Sequence, residues 1–103
     1  MTLEEIKTKL DTTGYPVSYS SVPLDEATAR PYICYSETGL RPFSADGIPY
    51  YTRRVIFVRL YTDIRDEAAE AKVQTALAGL YWSKGIEYLE DQKIYEIDYE
   101  IEV

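Results

Sequence analysis

Between positions 93 and 103 apolar and acidic side chains alternate almost without interruption. Tyr95, Ile97, Tyr99, Ile101 and Val103 share one parity, while Ile94, Glu96, Asp98, Glu100 and Glu102 share the other. Successive side chains of a strand point to opposite faces, so this segment reads as a strand with one buried and one wet face. A helix would scatter the same residues around its whole circumference. Four carboxylates in one row repel one another unless cations lie opposite or water screens them. Such a strand suits a sheet edge, where aligned charges discourage unwanted pairing.

The stretch 50–66, YYTRRVIFVRLYTDIRD, is a longer strand running into the start of a helix. Ile56, Val58 and Leu60 form an apolar row. The other row, Arg53, Val55, Phe57, Arg59 and Tyr61, mixes cations with large apolar groups. A solvated row needs no Val55, Phe57 or Tyr61, and a buried row does not accept two arginines. This row therefore reads as a surface that meets something, a second copy of the chain included. The net charge of −7 is also unevenly spread. Residues 86–103 carry seven acids against Lys93 alone, and residues 41–65 carry five arginines against Asp46 and Asp63. Two readings follow. Oppositely charged surfaces of different copies meet head to tail, or the two strands are neighbours and pair their charges within one sheet.

Around these strands the other elements fall into place. Thr2-Leu3-Glu4-Glu5 fits a capping box, followed by Leu3, Ile6 and Leu10 at helical spacing and Gly14 as a stop. Short strands follow at 17–20 and 32–36, joined by a polar connection over 23–31. Asp63 or Asp66 caps a second helix, whose stripe is Ala69, Val73, Ala76, Leu77 and Leu80 and whose stop is Gly85. A hairpin of 86–90 and 93–103 over Asp91-Gln92 closes the chain. The expected order αβββαββ gives an α+β fold, with two helices packed on one face of a mainly antiparallel five-stranded sheet. At 103 residues this is one domain, 1–103.

The segment 37–49, ETGLRPFSADGIP, reads as a long loop with Gly39, Pro42, Gly47 and Pro49. Hairpins need only two to five loop residues, and longer loops tend to be functional. Leu40, Phe43 and Ile48 make it too apolar for a solvated linker. Ordering each backbone residue costs roughly 1–2 kcal/mol, while each buried apolar side chain returns only about 1.5–3 kcal/mol. The loop is expected to order against a partner, or to fold back on its own sheet with help from backbone hydrogen bonds.

Catalysis is not where this sequence points. It contains no histidine, which removes the commonest general base and metal ligand, and leaves Cys34 without an imidazole to activate it. No phosphate loop, zinc pattern or dinucleotide fingerprint is present, so no cofactor, no metal and no enzymatic activity are expected. Asp63 to Glu67 lacks the spacing and central glycine of a calcium loop. Cys34 reads as a buried, inert thiol. The acidic balance disfavours gripping a nucleic-acid backbone. No apolar run approaches the roughly 20 residues of a membrane span, and the amphipathic start offers no export signal. A cytosolic product is expected.

Several strings are similar to those of one family. TLEEIKTKLDTTGYPVSY, FSADGIPYY, LYTDIRDEAAEAKVQTAL and KIYEIDYEIEV resemble small proteins from the morphogenesis clusters of long-tailed bacteriophages and prophages. These are the tail-terminator, tail-completion or head–tail joining proteins, also labelled minor capsid proteins. The resemblance implies a subunit that forms a ring, commonly a hexamer, at the head-proximal end of the tail. The ring would cap the tail tube and join it to the head connector or adaptor protein. By that resemblance Phe43, Ala45 and Asp46 lie in a segment that reaches neighbouring subunits or the tube protein, with Leu40 and Ile48 beside them. Arg53, Arg54 and Arg59, with Phe57 and Tyr61, lie on or near subunit contacts. Glu96, Asp98, Glu100 and Glu102 form an acidic face past which DNA would slide without specific binding. The expected location is the virion, reached from the bacterial cytoplasm. The alternative is a bacterial adaptor domain that binds one protein partner through the same segment and strand.

Overall fold

The computed structural model describes residues 2–19, 31–45 and 48–103, with side chains for all of these except 40–45 and 48–53. Helix α1 spans Leu3–Asp11 and begins with the expected capping box. The Thr2 hydroxyl accepts from the Glu5 amide at 3.2 Å, and the Glu5 carboxylate accepts from the Thr2 amide at 3.3 Å. Strand β1, Val17–Tyr19, pairs in parallel with β2, Tyr32–Ala45. The connection expected over 23–31 falls outside the described residues except for Pro31. Strand β3, Ile48–Thr62, runs antiparallel to β2. Helix α2, Glu67–Ala76, is capped by Asp66, whose carboxylate accepts from the Ala69 amide at 3.1 Å. Strands β4, Tyr81–Leu89, and β5, Ile94–Glu102, complete a sheet of order β1-β2-β3-β5-β4.

The alternation of β3 and β5 sets one face of this sheet against the helices. Leu60 stands between Ile33 and Ile97, Val58 between Tyr35 and Tyr99, and Ile56 beside Ile101. These rungs pack with Ile6 and Leu10 of α1 and with Ala69, Val73 and Leu77 around α2, forming one core. The fold is the expected α+β arrangement in the order αβββαββ. No helix among the described residues is long and apolar enough to cross a membrane.

Four local expectations are corrected. The segment 37–49 is not a loop: β2 continues to Ala45 and β3 begins at Ile48, leaving two residues between the strands. Backbone pairing from Leu40↔Arg54 to Ala45↔Ile48 supplies the hydrogen bonds a free loop would lack. Gly39 (φ +154°) lies where the register shifts after Glu37, so this glycine marks an irregularity inside a strand, not a departure from it. The second helix stops earlier than expected. Gly79, at φ +87°, breaks the chain after α2, and Gly85 lies inside β4. Strand β5 is not an edge, because β4 covers it. The turn joining these two strands is also longer than Asp91-Gln92: Lys93, at φ +57°, donates its amide to the Leu89 carbonyl at 2.7 Å.

Beyond Val55↔Glu102 and Tyr19↔Tyr35, neither β5 nor β1 accompanies the central hairpin as a paired strand. Just past that point Arg54 and Val103 still exchange backbone hydrogen bonds. Among the described residues, the remainder of β2 and β3 is a two-stranded ribbon. Its length from Leu40 to Ala45 is about 17 Å at the usual strand rise.

Candidate functional site

The helices cover one face of the sheet, and the opposite face collects most of the residues singled out in the sequence. Phe57, Arg59 and Tyr61 of β3 stand directly opposite Glu100, Asp98 and Glu96 of β5. Glu102 lies opposite Val55 and completes the acidic row. Leu40, Phe43, Ala45, Ile48 and Arg53 belong to the ribbon by their backbone positions, and Asp46 lies outside the described residues. The sequence-derived set thus divides into two neighbouring parts, a mixed aromatic and charged face and a ribbon that extends past it.

Arg59 is the centre of the face. Its Nε lies 3.2 Å from Glu96 Oε1 and 3.5 Å from Asp98 Oδ1, and its guanidinium carbon lies 5.2 Å from the centroid of the Phe57 ring. The expected pairing of charges between the two strands within one sheet is therefore realised at Arg59; a separate pair lies at the ribbon's base, where Arg54 Nε is 3.6 Å from Glu37 Oε1 of β2. The face is also drier than its alternation implies. Tyr32, Cys34 and Val55 are buried on it, and the Glu96 side chain is 14% exposed. On this face the Tyr32 and Tyr61 rings meet at 4.9 Å between centroids.

Electrostatics follow from that cover. Burial, aided by the hydrogen bond and charge of Asp98 and by Glu87, pushes the Glu96 carboxyl up to about 7 against the pull of Arg59. Burial also raises the Cys34 thiol, with a Ser18 hydrogen bond and Arg59 acting in the opposite direction, consistent with an inert group. Tyr61 is pushed well above the usual phenol range by burial and by the charge of Glu96.

Sequence reasoning missed two contributors here. Glu87 faces Glu96 from β4, and Gly85 faces Asp98. The parity of β4 reveals them once that strand is started at Tyr81. A second charged group, on the helix side, was also missed. Glu70 is almost fully buried, accepts from Arg65 Nε at 2.9 Å and Nη2 at 3.3 Å, and pairs with Lys84. Burial raises its carboxyl, but the Arg65 and Lys84 hydrogen bonds outweigh that and hold it below the usual range. Tyr99 donates to the Gln74 carboxamide oxygen at 3.2 Å beside it.

No protein-family model matches this sequence, and no curated protein matches it. Among solved structures, the fold is similar to that of a chain in a structure described as the virion of a native gene transfer agent particle. The TM-score is 0.52 at 16% identity, over 95% of this chain and 83% of that one. At that identity the similarity is one of fold.

Proposed function

We propose that this protein is a structural, non-enzymatic virion subunit that forms a ring at the head-proximal end of a phage tail. In this reading it ends the tail tube and joins it to the head connector or adaptor protein, while DNA passes without specific binding. The observation that carries the reading is the two-stranded ribbon. An isolated two-stranded hairpin is marginal in water, so a ribbon that outruns its sheet is well suited to be completed by a neighbour. Its arginines and the acidic helix-free face supply two different, complementary patches on one subunit, as a head-to-tail ring requires. The fold it shares with a gene transfer agent virion chain supports the same class of role.

Micrographs of particles produced by a prophage lacking this gene test the reading. Overlong or headless tails are expected from loss of a terminating and joining ring. Particles of normal morphology and infectivity would reject it and favour a host adaptor.

A further inference from the structure

The sheet has two edges, and they are unequal. Strand β1 offers three residues, whereas β4 offers nine, Tyr81–Leu89, paired with β5 in an unbroken register. Which backbone groups of β4 face outward follows from the neighbouring ladder. Arg54 and Val103 exchange both of their backbone hydrogen bonds, where β3 and β5 run side by side. In an antiparallel ladder such exchanges recur at every second residue, so the odd residues of β5 bond to β3 and the even ones to β4. Tyr81, Ser83, Gly85, Glu87 and Leu89 stand opposite those even residues. The amides and carbonyls of Trp82, Lys84, Ile86 and Tyr88 therefore point away from the sheet, and no strand among the described residues receives them. The usual protections of an edge are missing here. The strand has no proline and no bulge, and the amine of its one lysine, Lys84, is turned onto Glu70 and Gln74 on the helix side. Apolar side chains line the edge instead: Tyr81 is 83% exposed, Ile86 47% and Tyr88 46%.

An edge of this kind is completed by another strand, and the chain itself supplies the best match. Strand β1 is too short, and the strands of the ribbon contain Pro42 and Pro49, residues with no amide to donate. Strand β4 matches itself. Antiparallel pairing of two copies about a two-fold axis at Gly85 overlaps the whole of Tyr81–Leu89. It opposes Trp82 to Tyr88, Lys84 to Ile86, Ser83 to Glu87 and Tyr81 to Leu89, with Gly85 facing its own copy. The outward groups of Trp82, Lys84, Ile86 and Tyr88 then meet the same four of the partner, as the antiparallel alternation demands. No like charges face one another, whereas an axis at Lys84 or at Glu87 would set each against itself. We infer that two copies of this chain pair antiparallel through β4, with the axis at Gly85, and join their sheets into one. The pairing uses an edge that the ring reading leaves unassigned, and so goes beyond it.

Sedimentation velocity and cysteine cross-linking on the full chain test the pairing, with circular dichroism to check the fold. Proline at an outward-facing position removes no hydrogen bond within the sheet. Ile86→Pro should therefore keep the wild-type spectrum while weakening the dimer at least about tenfold. Opposed residues that exchange no hydrogen bonds have Cα atoms about 4.5 Å apart, within disulfide reach. A Cβ added at Gly85 meets nothing within 4 Å, so Gly85→Cys should fold and link two copies on oxidation. Ser83→Cys, set opposite Glu87 of the other copy, should link far less. The wild type, whose Cys34 is buried, sets the background. A folded Ile86→Pro that associates like the wild type overturns the pairing, as does equal linking of the two cysteine variants. If Ile86→Pro does not fold, the cysteine variants decide alone. A wild type that stays monomeric and a Gly85→Cys that stays unlinked also overturn it, giving the edge to a strand of another protein. Each of these results leaves the micrograph test of ring assembly untouched.

Discussion

Glu70 and Glu96 are both carboxylates set beside cations on the same sheet, yet their surroundings drive them in opposite directions. Glu70, under α2, has one carboxylate facing two cations, Arg65 and Lys84, and is held charged despite its burial. Glu96, on the helix-free face, shares one cation with Asp98, and its carboxyl rises to about 7. The first group is electrically complete inside the subunit. The second, among the described residues, has two acids to one cation. Burial costs each carboxylate alike in kind, so the count of cations around it decides the sign. A complete cluster belongs to the fold, and an incomplete one suits a surface that a partner finishes.

The largest effect that separates the two should come from Glu70→Ala. It strands Lys84 and Arg65 beside a buried void, and the loss should be about 2–3 kcal/mol in urea unfolding. That is below the usual cost of breaking a fully buried pair, because both cations reach solvent. A loss under about 0.5 kcal/mol would make Glu70 as dispensable as a surface acid. Next, Arg59→Ala removes the cation shared by Glu96 and Asp98. At about pH 8 it should cost roughly 1–2 kcal/mol, and clearly less at about pH 5, where Glu96 carries its proton. An equal cost at both values would mean that Arg59 acts through packing on Phe57 alone.

The pH profile of the wild type sharpens the contrast further. A raised carboxyl stabilises the fold in its protonated form, so the Glu96 contribution is complete below the ordinary value of 4.5 and disappears as pH rises through about 7. Stability should fall by about 1 kcal/mol between about pH 6 and pH 8 from this group, and Glu96→Gln should flatten that slope. Glu70 has the opposite sign. Its depressed carboxyl contributes above the ordinary 4.5, and the contribution is lost as pH falls through its lowered value. Thermal unfolding across this range, with each variant, reads both trends, and a Glu96→Gln profile as steep as wild type would remove Glu96 as the cause. The smallest change belongs to the exposed pair Lys7–Asp11, at 2.9 Å on α1. There Lys7→Ala should cost only about 0.2–0.5 kcal/mol, a baseline for what ordinary surface charge contributes.

Much of the fold is legible because its periodicities are local. The period-two rows of 55–61 and 94–103 name the buried residues Ile56, Val58, Leu60, Ile97, Tyr99 and Ile101 correctly, the Thr2 cap follows from spacing, and of the two candidates Asp63 and Asp66 the structure uses Asp66. The ribbon escapes a reading of the sequence for an identifiable reason. Glycine and proline count as loop signals, yet a two-stranded ribbon has outward edges on both strands, where a missing proline amide is tolerated. Those punctuators outweigh the hairpin signal Asp46-Gly47, flanked by Ala45 and Ile48. Similarly, Gly85 reads as a helix stop, although Gly79 has the left-handed backbone. Parity finds the site residues Phe57, Arg59, Tyr61 and the four acids. It places Glu87 and Gly85 on one row of β4 only once that strand is started at Tyr81, and it does not show which residues they or Glu37 stand against, because that depends on which strand lies beside them.

By itself the sequence determined which side chains share a face along 55–61 and 94–103, how the first helix begins, and that charge is divided between two regions. Strand alternation and capping act over a few residues, so they can be read without knowing what lies across space. The sheet order, the burial of β5 behind β4, and the one-cation, two-acid arrangement around Arg59 were decided only by the tertiary structure. Those properties depend on registers between segments about forty residues apart, and the electrostatic free energy of a carboxylate is set by whichever charges those registers bring within a few ångströms of it.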